Sequence, residues 1–287
     1  MKLWANPESK FRELRMQRTA FQVRRTIDFW PNYLQYNSAR QRRQPSQDAL
    51  PCYSLSISHI TLLLYVPRLF NRYDLAQPVS GVEVTRVATA EDPLRLAVFI
   101  SGSGSGMQAL LLHQESKPCL HETTLVVSNI AGVAGLDKAK AHNINTVTIE
   151  LDKSISDRSE RRETHERAIM TTLEEHGIEA VILSGYMRIL SPVFVRAWKG
   201  RLLNIHPSLL PKYPGAHAHR DALADGATVT GCTVHLVDEG VDSGPILAQR
   251  ELEIHPDDDE DSLSERVKAL EHKLYPDVID DFSAGLL

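Results

Sequence analysis

From residue 95 onward the chain alternates short apolar runs with amphipathic stretches, a rhythm that predicts strands and helices in turn. Residues 95–100 form a continuous apolar run, the pattern of a strand buried on both faces of a parallel sheet. The run leads into Ser101-Gly102-Ser103-Gly104-Ser105-Gly106-Met107, after which residues 108–112 read as the start of a helix. Residues 124–128 predict a second strand, 133–142 a helix and 146–149 a third strand. Between 157 and 176 charges of both signs alternate, Glu163 and Arg167 lie one turn apart, and Gly177 stands where a glycine follows a helix C-terminus. Residues 179–184 predict a fourth strand, and Ser191-Pro192 has the form of an N-cap followed by proline at the first helical position. An antiparallel pair is expected over 231–254, at one edge or end of the sheet. In the last helix Ser262 and Glu265 form a capping box, and Leu263, Val267, Leu270 and Leu274 mark its buried stripe. The expected fold class is α/β: one mostly parallel, Rossmann-like sheet flanked by helices.

Residues 1–93 break this rhythm. They carry 13 Lys+Arg against 8 Asp+Glu, whereas residues 94–287 carry 19 against 29. Pro31, Pro45 and Pro51 interrupt any period, and the apolar run at 55–66 is too short to span a bilayer and too far from the start for a secretory signal. A weakly packed basic extension, an organelle transit peptide and an accessory domain all fit this stretch, and 94–287 is expected to be the catalytic domain. The acidic body argues against nucleic acid as a ligand. Cys52, Cys119 and Cys232 are widely spaced, odd in number and without a CxxC pair, which suits reduced thiols in a cytoplasmic compartment. Neither a metal site nor a membrane association is expected; His217 and His219 lack further ligands at a suitable spacing.

The chemistry concentrates in residues 204–215, Asn-Ile-His-Pro-Ser-Leu-Leu-Pro-Lys-Tyr-Pro-Gly. In an extended segment Asn204 and His206 point to the same side and can face one reacting group. An amide N–H can hold a developing oxyanion, and an imidazole can move a proton near neutral pH. Pro207, Pro211 and Pro214 exclude a regular helix. No nucleophile sits beside a base, so the arrangement reads as direct group transfer through a tetrahedral intermediate. The glycine turn at 101–106, between a strand and a helix start, has the form of an anion cradle. It is neither a dinucleotide fingerprint, since Met107 stands three after Gly104, nor a P-loop, since no Lys-Ser/Thr follows. Asp242, in a turn before Ser-Gly-Pro, supplies a carboxylate that would favour the charged form of His206 if the two met.

The block from Leu202 to Gly215, with these flanking motifs in order, resembles the folate-dependent formyltransferases over nearly all of residues 94–285. The resemblance implies formyl transfer from 10-formyltetrahydrofolate to the amine of glycinamide ribonucleotide, by a monomer or homodimer. It implies Asn204, His206 and Asp242 as catalytic residues, with Asp242 against His206. Gly104, Ser105 and Gly106 would hold the substrate phosphate, and Glu271, in Glu-His-x-x-Tyr-Pro, the glycinamide end. Arg162, Met187, Arg188, Ile189, Leu190, Asn204, His235 and Asp238 would contact the folate. The family commonly has Asn where Gly106 stands, so a side-chain contact to substrate is lost or replaced there. Formyltetrahydrofolate hydrolysis and a catalytically silent folate- or nucleotide-binding role are the alternatives. Residues 1–93 lack the strand–helix rhythm of a hydrolase's regulatory domain, and Asn204, His206 and Asp242 are all present.

Overall fold

The computed structural model describes Arg86 and residues 88–287; the expectations for the basic extension, and with them organelle import, lie outside the described residues apart from its last few positions. Seven strands form one sheet: β1 (Leu94–Ile100), β2 (His121–Ser128), β3 (Asn145–Thr148), β4 (Ala180–Leu183), β5 (Leu202–His206), β6 (Val229–Leu236) and β7 (Ile246–Glu253). Their spatial order is β3-β2-β1-β4-β5-β6-β7. The first five run parallel; β6 is antiparallel to both β5 and β7, which is the expected edge pair. The order reverses between β1 and β4, and an open α/β sheet opens a crevice at the carboxyl ends of the strands at such a point.

Among the described residues six helices flank the sheet: α1 (Ser105–Ser116), α2 (Ala134–Ala141), α3 (Arg158–Glu175), α4 (Pro192–Ala197), α5 (Ala218–Ala224) and α6 (Glu260–Ser283). Strand alternation splits the core in two. Leu96, Val98, Ile182 and Leu203 pack with Met107, Leu110, Val267 and Leu274 of α1 and α6. Ala97, Phe99, Val181 and Leu202 pack with Ile169, Leu173 and Phe194 of α3 and α4. Each large apolar side chain buried this way contributes about 1.5–3 kcal/mol. Tyr275 stitches the first layer to the sheet, its hydroxyl meeting the carbonyls of Leu183 (3.1 Å) and Leu203 (2.9 Å) at the ends of β4 and β5.

Several local expectations hold. Ser191 caps α4, accepting from Phe194 N, with Pro192 at the first helical position. The hydroxyl of Ser191 donates to the buried Glu166 of α3, which also accepts from the Ser191 amide at 2.8 Å. This pins the segment after β4 to a helix beneath it. The cap of α6 differs from expectation: Asp259, inside the acidic run, is the N-cap, and its partner in the capping box is Ser262 rather than Glu265. An aspartate ahead of a first turn that contains Glu260 and Asp261 satisfies the free amides and the helix dipole together. The helix then runs through Pro276 to Ser283. The packed body also begins before β1, since Ala88 is buried and Arg86 makes bonds of 2.6 and 2.9 Å to the two oxygens of Glu179. Among the described residues no helix is long and apolar enough to cross a membrane.

Candidate active site

Alternation along β5 sends Leu203 and Ile205 toward α1 and α6. Asn204 and His206 therefore face the other side, at the carboxyl edge of the sheet. The antiparallel register sets His235 of β6 directly opposite Asn204. Asn204 Nδ2 donates to His235 Nε2 at 3.2 Å, and His235 Nδ1 donates to the Leu236 carbonyl at 3.0 Å. These two bonds fix one neutral tautomer of His235. Burial lowers its pKa, which holds the ring in that form. The amide nitrogen of Asn204 is thereby turned inward with its second N–H unused, a donor ready for an oxyanion.

Asp242 closes the group. Its Oδ2 lies 3.3 Å from His206 Nδ1, and its Oδ1 lies 3.6 Å from His235 Nε2. The other nitrogen of His206, Nε2, is 2.9 Å from the Tyr213 carbonyl. An oxygen thus stands beside each ring nitrogen, the Tyr213 carbonyl in hydrogen-bond contact and the Asp242 carboxylate at ion-pair distance. His206 is buried, so this arrangement is not screened by bulk water. Asp242 holds a left-handed backbone (φ 50°), and its Oδ2 also accepts from Gly215 N at 2.8 Å.

The loop 207–215 owes its shape to residues outside the motif. Thr233 Oγ1 donates to the Ser208 carbonyl at 2.6 Å and accepts from Leu210 N at 3.0 Å. Gln249 Nε2 donates to the Leu210 carbonyl at 2.9 Å and to Thr233 Oγ1 at 2.8 Å. Ser208 donates to the Lys212 carbonyl at 2.6 Å, so it serves as a loop brace.

A cleft of about 130 Å³ opens beside this group, lined by Leu183, Tyr186, Arg188, Ile189, Leu190, Asn204, His235, Asp238 and Asp242 among others. Asp238 shapes the turn above it, its Oδ1 accepting from Gly240 N (3.1 Å) and Ser243 Oγ (2.8 Å). Met187 is highly exposed at the rim, its amide donating to Ser101 Oγ at 2.9 Å. Arg162 is not brought into the cleft. It lies half-buried on α3, while its neighbour Arg161 bonds the Ile155 carbonyl at 2.7 Å. A larger groove of about 610 Å³ lies between α3 and α4 and shares no residue with this cleft.

The glycine turn sits at the end of β1, next to the cleft. Gly104 takes φ 64° as the N-cap of α1, and no side chain caps that helix. Its first-turn amides are thus open to an anion. A Cβ on Gly104 would also come within 2.9 Å of Gly135 Cα. Ser105 Oγ lies 3.3 Å from His272 Nε2 of α6. One residue earlier, Glu271 is lodged in the same helix with no hydrogen bond or ion pair to protein among the described residues. Burial pushes its carboxyl up to about 7, against a smaller opposing effect of Lys268.

At the opposite edge of the sheet, the donors of His113, Cys119, His121 and Asp280 lie within 4.8 Å of one another. Both Asp280 oxygens are already engaged, by His113 (2.9 Å), His121 (2.9 Å) and the Lys117 ammonium (2.8 Å).

Residues 94–279, which contain the sheet reversal at β1/β4 and Asn204, His206 and Asp242, match the formyl transferase family. The chain belongs to the formyl transferase family. It is 40% identical over 194 residues to the phosphoribosylglycinamide formyltransferase of Escherichia coli (strain K12), covering 68% of this chain and 89% of that protein. It is 46% identical over 191 residues to the human trifunctional purine biosynthetic protein adenosine-3, covering 67% of this chain and 18% of that protein. The similarity to the Drosophila melanogaster protein of the same name spans only 13% of that protein's length. Among solved structures, the phosphoribosylglycinamide formyltransferase of Brucella melitensis aligns with a TM-score of 0.62 at 42% identity, covering 68% of this chain and 98% of that one.

Proposed function

We propose that the protein transfers the formyl group of 10-formyltetrahydrofolate to the amine of glycinamide ribonucleotide; the name of its relatives, phosphoribosylglycinamide formyltransferase, supports the group transferred and its acceptor. The convergence of Asn204, His206 and Asp242 on one face at the sheet edge carries this reading. The substrate amine attacks the formyl carbon, forming a C–N bond and an oxyanion. Asn204 Nδ2–H and the His206 ring stabilise that oxyanion. The proton released by the amine passes to the Asp242 carboxylate, directly or through a water it holds. As the bond from the formyl carbon to N10 of the folate breaks, its electron pair returns to N10, which takes up the proton. Formylated nucleotide and tetrahydrofolate leave, and no bond to the protein forms.

The cleft beside Arg188, Ile189, Leu190, His235 and Asp238 is the proposed folate site, with Met187 at its rim. The turn at Gly104, Ser105 and Gly106 is the proposed phosphate site, and Glu271 the partner of the glycinamide end. Steady-state consumption of 10-formyltetrahydrofolate by the full-length protein tests this reading. Consumption that requires glycinamide ribonucleotide supports it; consumption without the nucleotide indicates a hydrolase instead.

A further inference from the structure

Ser184 follows β4 directly, and alternation from Ala180 and Ile182 places it on the α1/α6 side of the sheet. It is 8% exposed, and its hydroxyl has no protein hydrogen-bond partner among the described residues. That hydroxyl points at the first turn of α1. A Cβ built on Gly106 would lie 2.6 Å from Ser184 Oγ but 3.9 Å from Ser184 Cβ. The hydroxyl and a side chain at 106 therefore compete for one place, and this chain has glycine at 106 and the hydroxyl opposite. With no protein acceptor and a little solvent access, that hydroxyl is free to donate to a ligand placed against the first turn of α1. The uncapped amides of Ser105 and Gly106 make the adjacent space an anion site.

We propose that Ser184 is a substrate-binding residue, its hydroxyl standing in for the side chain that Gly106 lacks and donating to an oxygen of the ribose phosphate. The inference rests on glycinamide ribonucleotide being the substrate. It also accounts for the departure at Gly106. A side chain there would turn the Ser184 hydroxyl out of its present position, whereas glycine lets the hydroxyl reach the ligand from the sheet.

The test is calorimetric titration of glycinamide ribonucleotide into the full-length protein and its variants, paired with steady-state kinetics. Ser184→Ala should weaken nucleotide binding and raise its KM about tenfold, leaving the KM for 10-formyltetrahydrofolate within about twofold. Gly106→Asn alone should lose affinity by crowding the Ser184 hydroxyl out of its place. Adding Ser184→Ala to it should then restore affinity, so the serine substitution changes sign between the two backgrounds. Unchanged nucleotide affinity in Ser184→Ala, or the same loss from it in both backgrounds, would overturn the inference while leaving the proposed reaction intact. A wild-type protein that does not bind the nucleotide would overturn both.

Discussion

Asp242 holds His206 and the loop that faces it with a single oxygen: Oδ2 lies 3.3 Å from His206 Nδ1 and accepts from Gly215 N at 2.8 Å. The carboxylate thus braces the ring and the loop at once. Asparagine keeps the size but cannot accept through both former oxygens or take up a proton. Asp242→Asn should lower kcat by about 10²–10⁴-fold with little change in melting temperature. Near-wild-type turnover in the folded variant would remove Asp242 from proton transfer.

Asn204, the proposed oxyanion donor, is oriented by His235 rather than by its own neighbours in sequence. Asn204→Ala should cost about 10²–10³ in kcat. His235→Ala should cost less and act through orientation, so His235→Gln, which retains an acceptor, should recover part of the loss. Equal kcat for the two His235 variants would contradict the orienting role.

Glu271 has a folded-state pKa of about 7, raised by burial from an ordinary carboxylate value. The folded state therefore binds the extra proton between about 4.5 and 7, and this group's contribution to stability falls as pH rises through that window. Glu271→Gln should be more stable than wild type at pH 8 and gain little at pH 4.5. The same variant should bind glycinamide ribonucleotide about tenfold or more weakly at pH 8, because the proposed contact to the glycinamide end is made by the charged carboxylate. Equal melting temperatures at pH 8 would show that the carboxylate is not held in a desolvated site.

Asp280 joins α6 to α1 and β2 by accepting from His113, Lys117 and His121. Burial by itself would raise its pKa, but the bonds from His121, Lys117 and His113 outweigh it and hold the carboxyl well below the usual range. A depressed carboxylate contributes stability above its unfolded-state pKa and loses it as pH falls through the folded value. Asp280→Asn should cost about 1–3 kcal/mol at pH 7 by urea denaturation, with the gap to wild type shrinking below about pH 4. A gap independent of pH would mean that packing, not charge, sets the loss.

The strand–helix rhythm, the edge pair and the Asn204–His206 spacing were legible because they are local patterns of period and of residues two apart. The contact between Asp242 and His206 was not, since it depends on how two loops meet across the edge of β5 and β6. Tyr213 and Gly215 act through a backbone carbonyl and amide, which leave no mark on residue identity. Thr233 and Gln249 look like ordinary strand residues until the loop is folded against them. Arg162 resembled a folate contact in sequence, yet its place on α3 leaves it outside the cleft. The relation of Ser184 to Gly106 is a fact of volume, visible only once the sheet and α1 are in place.

Direct transfer is tested most sharply by rapid quench with 10-formyltetrahydrofolate labelled in the formyl carbon, mixed with the full-length protein and glycinamide ribonucleotide. All label should move from folate to nucleotide in a single phase, with none retained on the denatured protein. Label trapped on the protein, or released as formate in place of nucleotide product, would contradict a transfer run by Asn204, His206 and Asp242 without a covalent intermediate.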